Sequence, residues 1–582
     1  MLRNFSFPTL VVALLPTIVA AQSSVPPKCE VRAVWLTTAG LDWPKSTDPI
    51  EQQRSLRAIL QDLHRANFNT LFFQVRARGD AYYRSAYEPW AENLTGVLGR
   101  DPGWDPLSFL LAEAHALSIE VHGWFNVYKV RGANAISVST PLHVSRAHPQ
   151  WVVADAGELW LDPGIPSVRR YLITVALDLI QKYELDGINF DFIRYPNRTF
   201  PDQETYRKYG GGTDRDAWRR ANIDAFVAEF ASSASAARPM LKIGSSPFGV
   251  YETDPGSNTI GSYDAVYQDS EGWLRRGLQD YLSPQIYWDI GTSKGDPDFV
   301  RLAYRWQAGA NGRHIYTGIG AYKPEVFREL IRQIDVSRQA RNQGQAFFRL
   351  DNVRSLDMFG DRYTSPALIP PMPWKDSLPP LPPSSLAVAE VTTNVFHLEW
   401  TPSPRATDGD GARRYVIYRS SPAAPRTDFG PNIVAIIPAP ANYYVDTLKI
   451  PSGLTYYYAV TALDKANNES PSSTVGTAVV KELLALEGKL SNVTTLSTSF
   501  GKGSTAPTLF AYRVPSRTRV TLEILESTSG GKERIFAVLV NRQEEGGTHI
   551  VGVDPLQIPK GNYMLRLHTG KATVEQPLIV GP

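Results

Sequence analysis

Leu185-Asp-Gly-Ile-Asn-Phe-Asp-Phe-Ile-Arg-Tyr-Pro196 is the stretch on which the reading of this chain turns. Ile188, Phe190 and Phe192 alternate with Asn189, Asp191 and Ile193, and a strand sends alternate side chains to opposite faces. One face is therefore large and apolar, while the other carries an amide and a carboxylate. Pro196 has no N–H to donate and ends the strand. A carboxylate at the C-terminal end of a strand that follows a long helix sits where a barrel enzyme places its chemistry. Asp191 is the residue to explain.

Outward from this strand the pattern alternates between strand and helix. Strands are expected at 31–36, 70–75, 120–125, 241–246, 281–287, 313–318 and 345–350, beside the central one. Helical stripes fall at 52–66, 106–117, 166–183, 215–237, 271–277 and 324–340, and 127–163 is a long excursion. Eight strands with intervening helices over roughly 340 residues predict an α/β fold, a (β/α)8 TIM-type barrel. No glycine-rich phosphate turn follows the first strand, which disfavours a doubly wound dinucleotide fold.

The chain has 582 residues, which implies three or four domains. A hydrophobic content of 43% and a charged content of 20% belong to a globular protein. The net charge of +2 argues against a nucleic-acid partner, which needs a concentrated basic surface. Residues 1–21 resemble a secretory signal, with Arg3, an apolar run from Leu10 to Leu15 and small residues at Ala20 and Ala21. The expectation is an exported protein, periplasmic or extracellular, with no stable membrane insertion. Cys29 is the single cysteine, so no internal disulfide forms, and it is expected as a free thiol in a flexible arm.

Polar and aromatic residues gather at the predicted strand ends: Gln74, Arg76, Trp124, Asn126, Asn189, Arg194, Tyr195, Gln285, Tyr287 and Trp288. In a barrel these ends converge on one mouth. Amides and acids hold hydroxyl groups, and rings cover the apolar face of a sugar. Val31-Arg-Ala-Val-Trp-Leu36, His122-Gly-Trp-Phe-Asn126, Asp186 to Pro196, Ser246-Pro-Phe-Gly249 and Asp280 to Trp288 together resemble the glycosyl-hydrolase-like 10 family, over about residues 29–370. The resemblance implies a secreted (β/α)8 protein that cleaves glycosidic bonds. Some members resemble enzymes that cut peptidoglycan glycan strands.

Glycosidases usually use two carboxyl groups, one to protonate the leaving oxygen and one to attack or to activate water. Asp191 is the first candidate, as nucleophile or general base; an N-acetyl group of the substrate is the alternative internal nucleophile. Asp289 and Glu252 are the candidates for the second acid. Arg76, Arg78 and Arg194 suit a carboxylate such as the lactyl acid of muramic acid. No paired metal-ligand spacing, nucleophile elbow or barrel cysteine is present, so no metal, no other cofactor and no Ser or Cys nucleophile is expected.

Residues 371–384 are proline-rich and read as an extended linker. Short alternating strands follow. Residues 385–480, with Trp400, Tyr415, Tyr418 and Tyr457, resemble a fibronectin type III domain, expected as a spacer. Residues 481–582 are a second immunoglobulin-like sandwich, with turns at 546–549 and 559–563. The leading expectation is a hydrolase of cell-wall glycan, the partner being its polysaccharide substrate. The rivals are a non-catalytic glycan-binding or adhesion protein and a hydrolase of an environmental polysaccharide.

Overall fold

The computed structural model describes residues 25–479, apart from 41, 133–136, 254–258, 292–295, 393, 422 and 449–453, together with the strands and turns within 493–495, 508–514, 516–527, 533–544, 547–553, 561–570 and 572–580. The expected signal at 1–21 lies outside the described residues. Eight parallel strands close into a barrel: β1 (Val31–Leu36), β2 (Thr70–Arg76), β3 (Glu120–Asn126), β4 (Gly187–Asp191), β5 (Lys242–Ser245), β6 (Tyr281–Leu282), β7 (His314–Ile319) and β8 (Gly344–Phe347). They follow one another around the barrel in chain order, and β8 returns to β1 with Val31 opposite Gly344.

Alternation decides which side chains fill the barrel. Trp35, Phe72, Trp124, Tyr281 and Tyr316 point inward and pack on one another, with Trp35 and Phe72 stacked at 4.2 Å and Tyr281 and Tyr316 at 4.6 Å. Gly244 on β5 makes room for this filling, because a Cβ there would lie 2.3 Å from the Tyr281 ring. The outward residues meet the helices: Phe190 packs edge-on against Phe226 and Phe230 of the helix Arg215–Ala237. That helix starts where Asp214 accepts a hydrogen bond from the Ala217 N–H, and Asp105 and Asp298 cap two others in the same way.

Four expectations are corrected. The sixth strand breaks after Leu282, because Pro284 cannot donate to a ladder, and only single bridges from Gln285 to Phe248 and Gly318 continue it. A helix that the pattern reading passed over, Phe299–Ala308, lies between β6 and β7 and buries Phe299, Leu302, Ala303 and Trp306. The excursion folds into an antiparallel sheet of Lys129–Gly132, Glu158–Leu161 and Val152–Asp155. The expected turn at 546–549 runs instead into the strand Gly547–Val553, and Asn562 and Tyr563 of the second expected turn belong to Gly561–Thr569.

The proline-rich segment does not run free. Ile369 and Met372 insert among Val31, Tyr281, Tyr316 and Ala346, and so close the N-terminal end of the barrel. The Trp374 indole donates to Asp280 at 2.7 Å, and Lys375 pairs with the same carboxylate at 2.9 Å. Cys29 is likewise held rather than flexible: it bridges to Leu368 and packs with Val416, Tyr418 and Ile433, and burial pushes its thiol up to about 11. The strands after residue 384 form a three-stranded and a four-stranded sheet around a shared core that includes Leu398, Trp400, Tyr415 and Tyr458. This unit seats on the closed end, where Asn467 donates to Glu120 at 3.2 Å and Arg414 lies 3.5 Å from the same carboxylate. Lys242 pairs with Glu120 at 2.6 Å, and against its burial Lys242, His122 and Arg414 hold the carboxyl well below the ordinary carboxylate range. A further three-stranded and four-stranded pair of sheets follows within 493–580. Among the described residues no helix is long and apolar enough to cross a membrane.

If Met372 belongs to the barrel core, Met372→Ala should lower unfolding free energy by about 2–5 kcal/mol, the usual cost of such a cavity. Urea denaturation measures it, and a loss below about 1 kcal/mol would mean that the segment is a detachable linker.

Candidate active site

The open end of the barrel holds a cavity of about 700 Å³. Asp191, the last residue of β4, lies in its lining and is 9% exposed. The strand ends there because Phe192 adopts a left-handed backbone (φ 51°), a strained state for a bulky residue. That turn folds the Phe192 N–H back onto the Asp191 carboxylate at 2.7 Å. It also breaks the expected alternation: Ile193 is buried in the outer core, while Phe192 and Arg194 line the cavity.

Burial raises the Asp191 carboxyl to about 6, against the Phe192 N–H, the Arg194 and Lys129 charges, and the Trp124 indole N–H, which falls short of a formed hydrogen bond. The Gln285 amide approaches it at 3.5 Å. Arg194 makes no ion pair within 4 Å among the described residues; it donates to the Tyr195 carbonyl at 3.3 Å and lies over the rings of Phe248, Phe192 and Trp160. Burial brings it down to about 10, so it stays charged at neutral pH.

Gln74, Arg78, Trp124, Asn126, Asp191, Arg194, Gln285 and Tyr287 come together in this lining. The other named residues do not. Arg76 is turned outward by a bulge between Gln74 and Arg76, where it lies over Phe125 and is spent on Glu88 at 2.7 Å. Asn189 is sealed below the floor, bonded to Ser246 at 2.8 Å. Tyr195 packs between Phe200 and Tyr267, and its hydroxyl accepts from Asn222. Trp288 faces away from the mouth, packed against the outer core with its carbonyl bonded to Gln333. Asp289 is outside the lining, its carbonyl accepting the Phe299 N–H at 3.2 Å. Glu252 is 68% exposed and pairs with Arg305 at 3.2 Å.

The second carboxylate in the lining is Glu158, carried there by the excursion sheet and paired with Lys129 at 2.6 Å. Phe348 and Tyr322, from the loops after β8 and β7, complete an aromatic wall with Tyr287, which stacks on Phe348 at 5.8 Å. Neither Glu158 nor these rings follows from strand alternation, because they sit on loops and a hairpin. Among the described residues one group has metal-ligand spacing, Asp376 with Asp408 and Asp410, and it lies outside this cavity.

Residues 30–329 match the family described as Glycosyl hydrolase-like 10. Glycosyl hydrolase YngK of Bacillus subtilis (strain 168) is 34% identical over 482 residues, which is 76% of this chain and 92% of that protein. Glycosyl hydrolase DigH of Escherichia coli (strain K12) is 35% identical over 337 residues, 53% of this chain and 76% of its own length. Among solved structures, the glycoside hydrolase domain of PgaB (BpsB) from Bordetella bronchiseptica covers 57% of this chain and 98% of its own, at 14% identity and a TM-score of 0.42. The chain belongs to the glycosyl hydrolase-like 10 family and is a glycoside hydrolase.

The buried carboxyl has a consequence for stability. Well below pH 3.8 Asp191 is protonated in both the folded and the unfolded chain and costs nothing. As pH rises toward 6 the unfolded chain ionises first, so stability falls, and above 6 the full cost, on the order of 3 kcal/mol, remains. Asp191→Asn should therefore raise the melting temperature at pH 7.5 and leave it nearly unchanged at pH 3. Equal shifts at both pH values in calorimetry would show that the carboxyl is not buried as described.

Proposed function

We propose that the chain is an exported hydrolase of peptidoglycan glycan strands, in which Asp191 acts in its ionised form as nucleophile or general base. The observation that supports this reading is the presence, in one cavity, of a buried carboxylate and the Arg194 guanidinium, which makes no ion pair within 4 Å among the described residues. A carboxyl near 6 is mostly ionised at neutral pH and is protonated within reach of it, as acid–base work at a glycosidic bond requires. Arg194 suits the lactyl carboxylate that distinguishes muramic acid from other sugars. Glu158 is the available partner acid, in place of Asp289 and Glu252. Export follows from the signal-like residues 1–21. The three-plus-four strand arrangement around Trp400 and Tyr415 supports a fibronectin type III module for 385–480, with an immunoglobulin-like sandwich after it. Its seat on the barrel favours a cap over a passive spacer.

Mass spectrometry of peptide-free glycan strands tests the proposal. The wild type should release fragments and Asp191→Asn none. Arg194→Gln should slow cleavage of these strands by about 10- to 100-fold, the worth of a charged hydrogen bond, and leave chitin oligomers nearly unaffected. Binding of the strands without release by the wild type would contradict the proposed substrate, and cleavage only of other glycans in a panel would move it to an environmental polysaccharide.

A further inference from the structure

Asn126 and Asp191 are register partners on β3 and β4, and both line the cavity. Asn126 is 4% exposed, and its carbonyl oxygen Oδ1 has no hydrogen-bond partner among the described residues. The amide cannot be turned round to remove this, because its Nδ2 donates to the Ala77 carbonyl at 2.9 Å. Oδ1 is therefore an open acceptor. Asp191 is only half used: the Phe192 N–H at 2.7 Å and the Gln285 amide at 3.5 Å both fall on its Oδ1, which leaves Oδ2 open. The Trp124 indole N–H, on a residue 3% exposed, is a third buried group here without a formed hydrogen bond among the described residues.

Buried polar groups of native proteins are paired as a rule, so this niche is built for an occupant. It offers two acceptors and one donor. A water molecule has two hydrogens for the acceptors and a lone pair for the indole, and one lone pair is left over. A sugar hydroxyl has a single hydrogen and cannot join both acceptors. An ammonium has no lone pair for the indole, and it would meet Arg78, Lys129 and Arg194 in the same lining.

We infer that Asn126 is the positioning residue for the attacking water, so that Asp191 is the general base and the hydrolase inverts the anomeric centre. The water oxygen attacks the anomeric carbon with its remaining lone pair as the bond from that carbon to the leaving oxygen breaks. One water proton passes to Asp191 Oδ2, and the leaving oxygen takes a proton from the partner acid, Glu158 in the reading above. Exchange with solvent then resets both carboxyls. If Asp191 itself attacked the carbon, no water would stand between them, and the buried Asn126 acceptor would stay unpaired. The inference rests on Asp191 as the reacting carboxylate, and it decides between the two roles left open for it.

Proton NMR of the new reducing ends, recorded before they mutarotate, tests it. The β-1,4 bonds of peptide-free strands should give α ends, and any other glycan that is cleaved should likewise give ends opposite to the bond cut. Retained ends from any substrate would overturn the inference. Asn126→Leu should lower kcat by about 10- to 100-fold, leave KM nearly unchanged and keep the bend in kcat/KM near pH 6. An unchanged kcat would overturn the role of Asn126. A crystal structure of the unliganded wild type needs no substrate: a water should lie within about 3.2 Å of both Asp191 Oδ2 and Asn126 Oδ1, and a well-ordered niche without one would overturn the inference. Inversion on a glycan other than peptide-free strands would remove the peptidoglycan proposal and leave this inference standing, whereas cleavage of those strands with retention would do the reverse.

Discussion

Placing a carboxylate at the floor of an apolar barrel mouth is the constraint on which the rest of this structure depends. Water would solvate Asp191 better than the cavity does, and burial accordingly raises it to about 6. What keeps the charge tolerable is local: the Phe192 N–H turned back by a left-handed residue, and the fields of Arg194 and Lys129. None of these is a close ion pair that would quench the carboxylate. The group is left reactive because it is incompletely compensated.

The barrel supports that arrangement from below. Inward aromatic residues fill its lower part, and the segment from Ile369 to Lys375 closes the end opposite the cavity. Glu120, at the start of β3, ties this closed end to β5 through Lys242 and to the following β unit through Asn467 and Arg414. Breaking one member of a buried charge cluster leaves the others uncompensated, so barrel and β unit are coupled energetically as well as covalently. Stability is concentrated at one end and the strained, reactive groups at the other, the usual division of labour in such barrels.

Much of this was legible in the sequence, and the parts that were not share a cause. The eight strands, their inward and outward faces, and the placement of Asp191, Trp124, Asn126, Gln285 and Tyr287 in one mouth follow from a period of two, a local property of the chain. Arg76 left the mouth because a bulge adds one residue and reverses its direction. Tyr195 looks identical to a mouth residue in composition, and the left-handed turn at Phe192 sends it outward. Trp288, one residue after Tyr287, is sent outward by the same period of two. Glu158 was invisible because the register of a hairpin, rather than of the barrel, brings it to the rim. The proline-rich segment reads as a spacer on composition, but Met372 and Trp374 within it find a hole that only the closed barrel creates.

The dependence of kcat/KM on pH for cleavage of peptide-free glycan strands tests the central claim most directly, since it reports the titration of the free enzyme. With Asp191 acting as a carboxylate held near 6, kcat/KM should rise through a bend close to pH 6 on its acidic limb, before the fall set by deprotonation of the partner acid. A profile that is flat between pH 5 and 7, or one that falls through pH 6, would contradict the role assigned to Asp191.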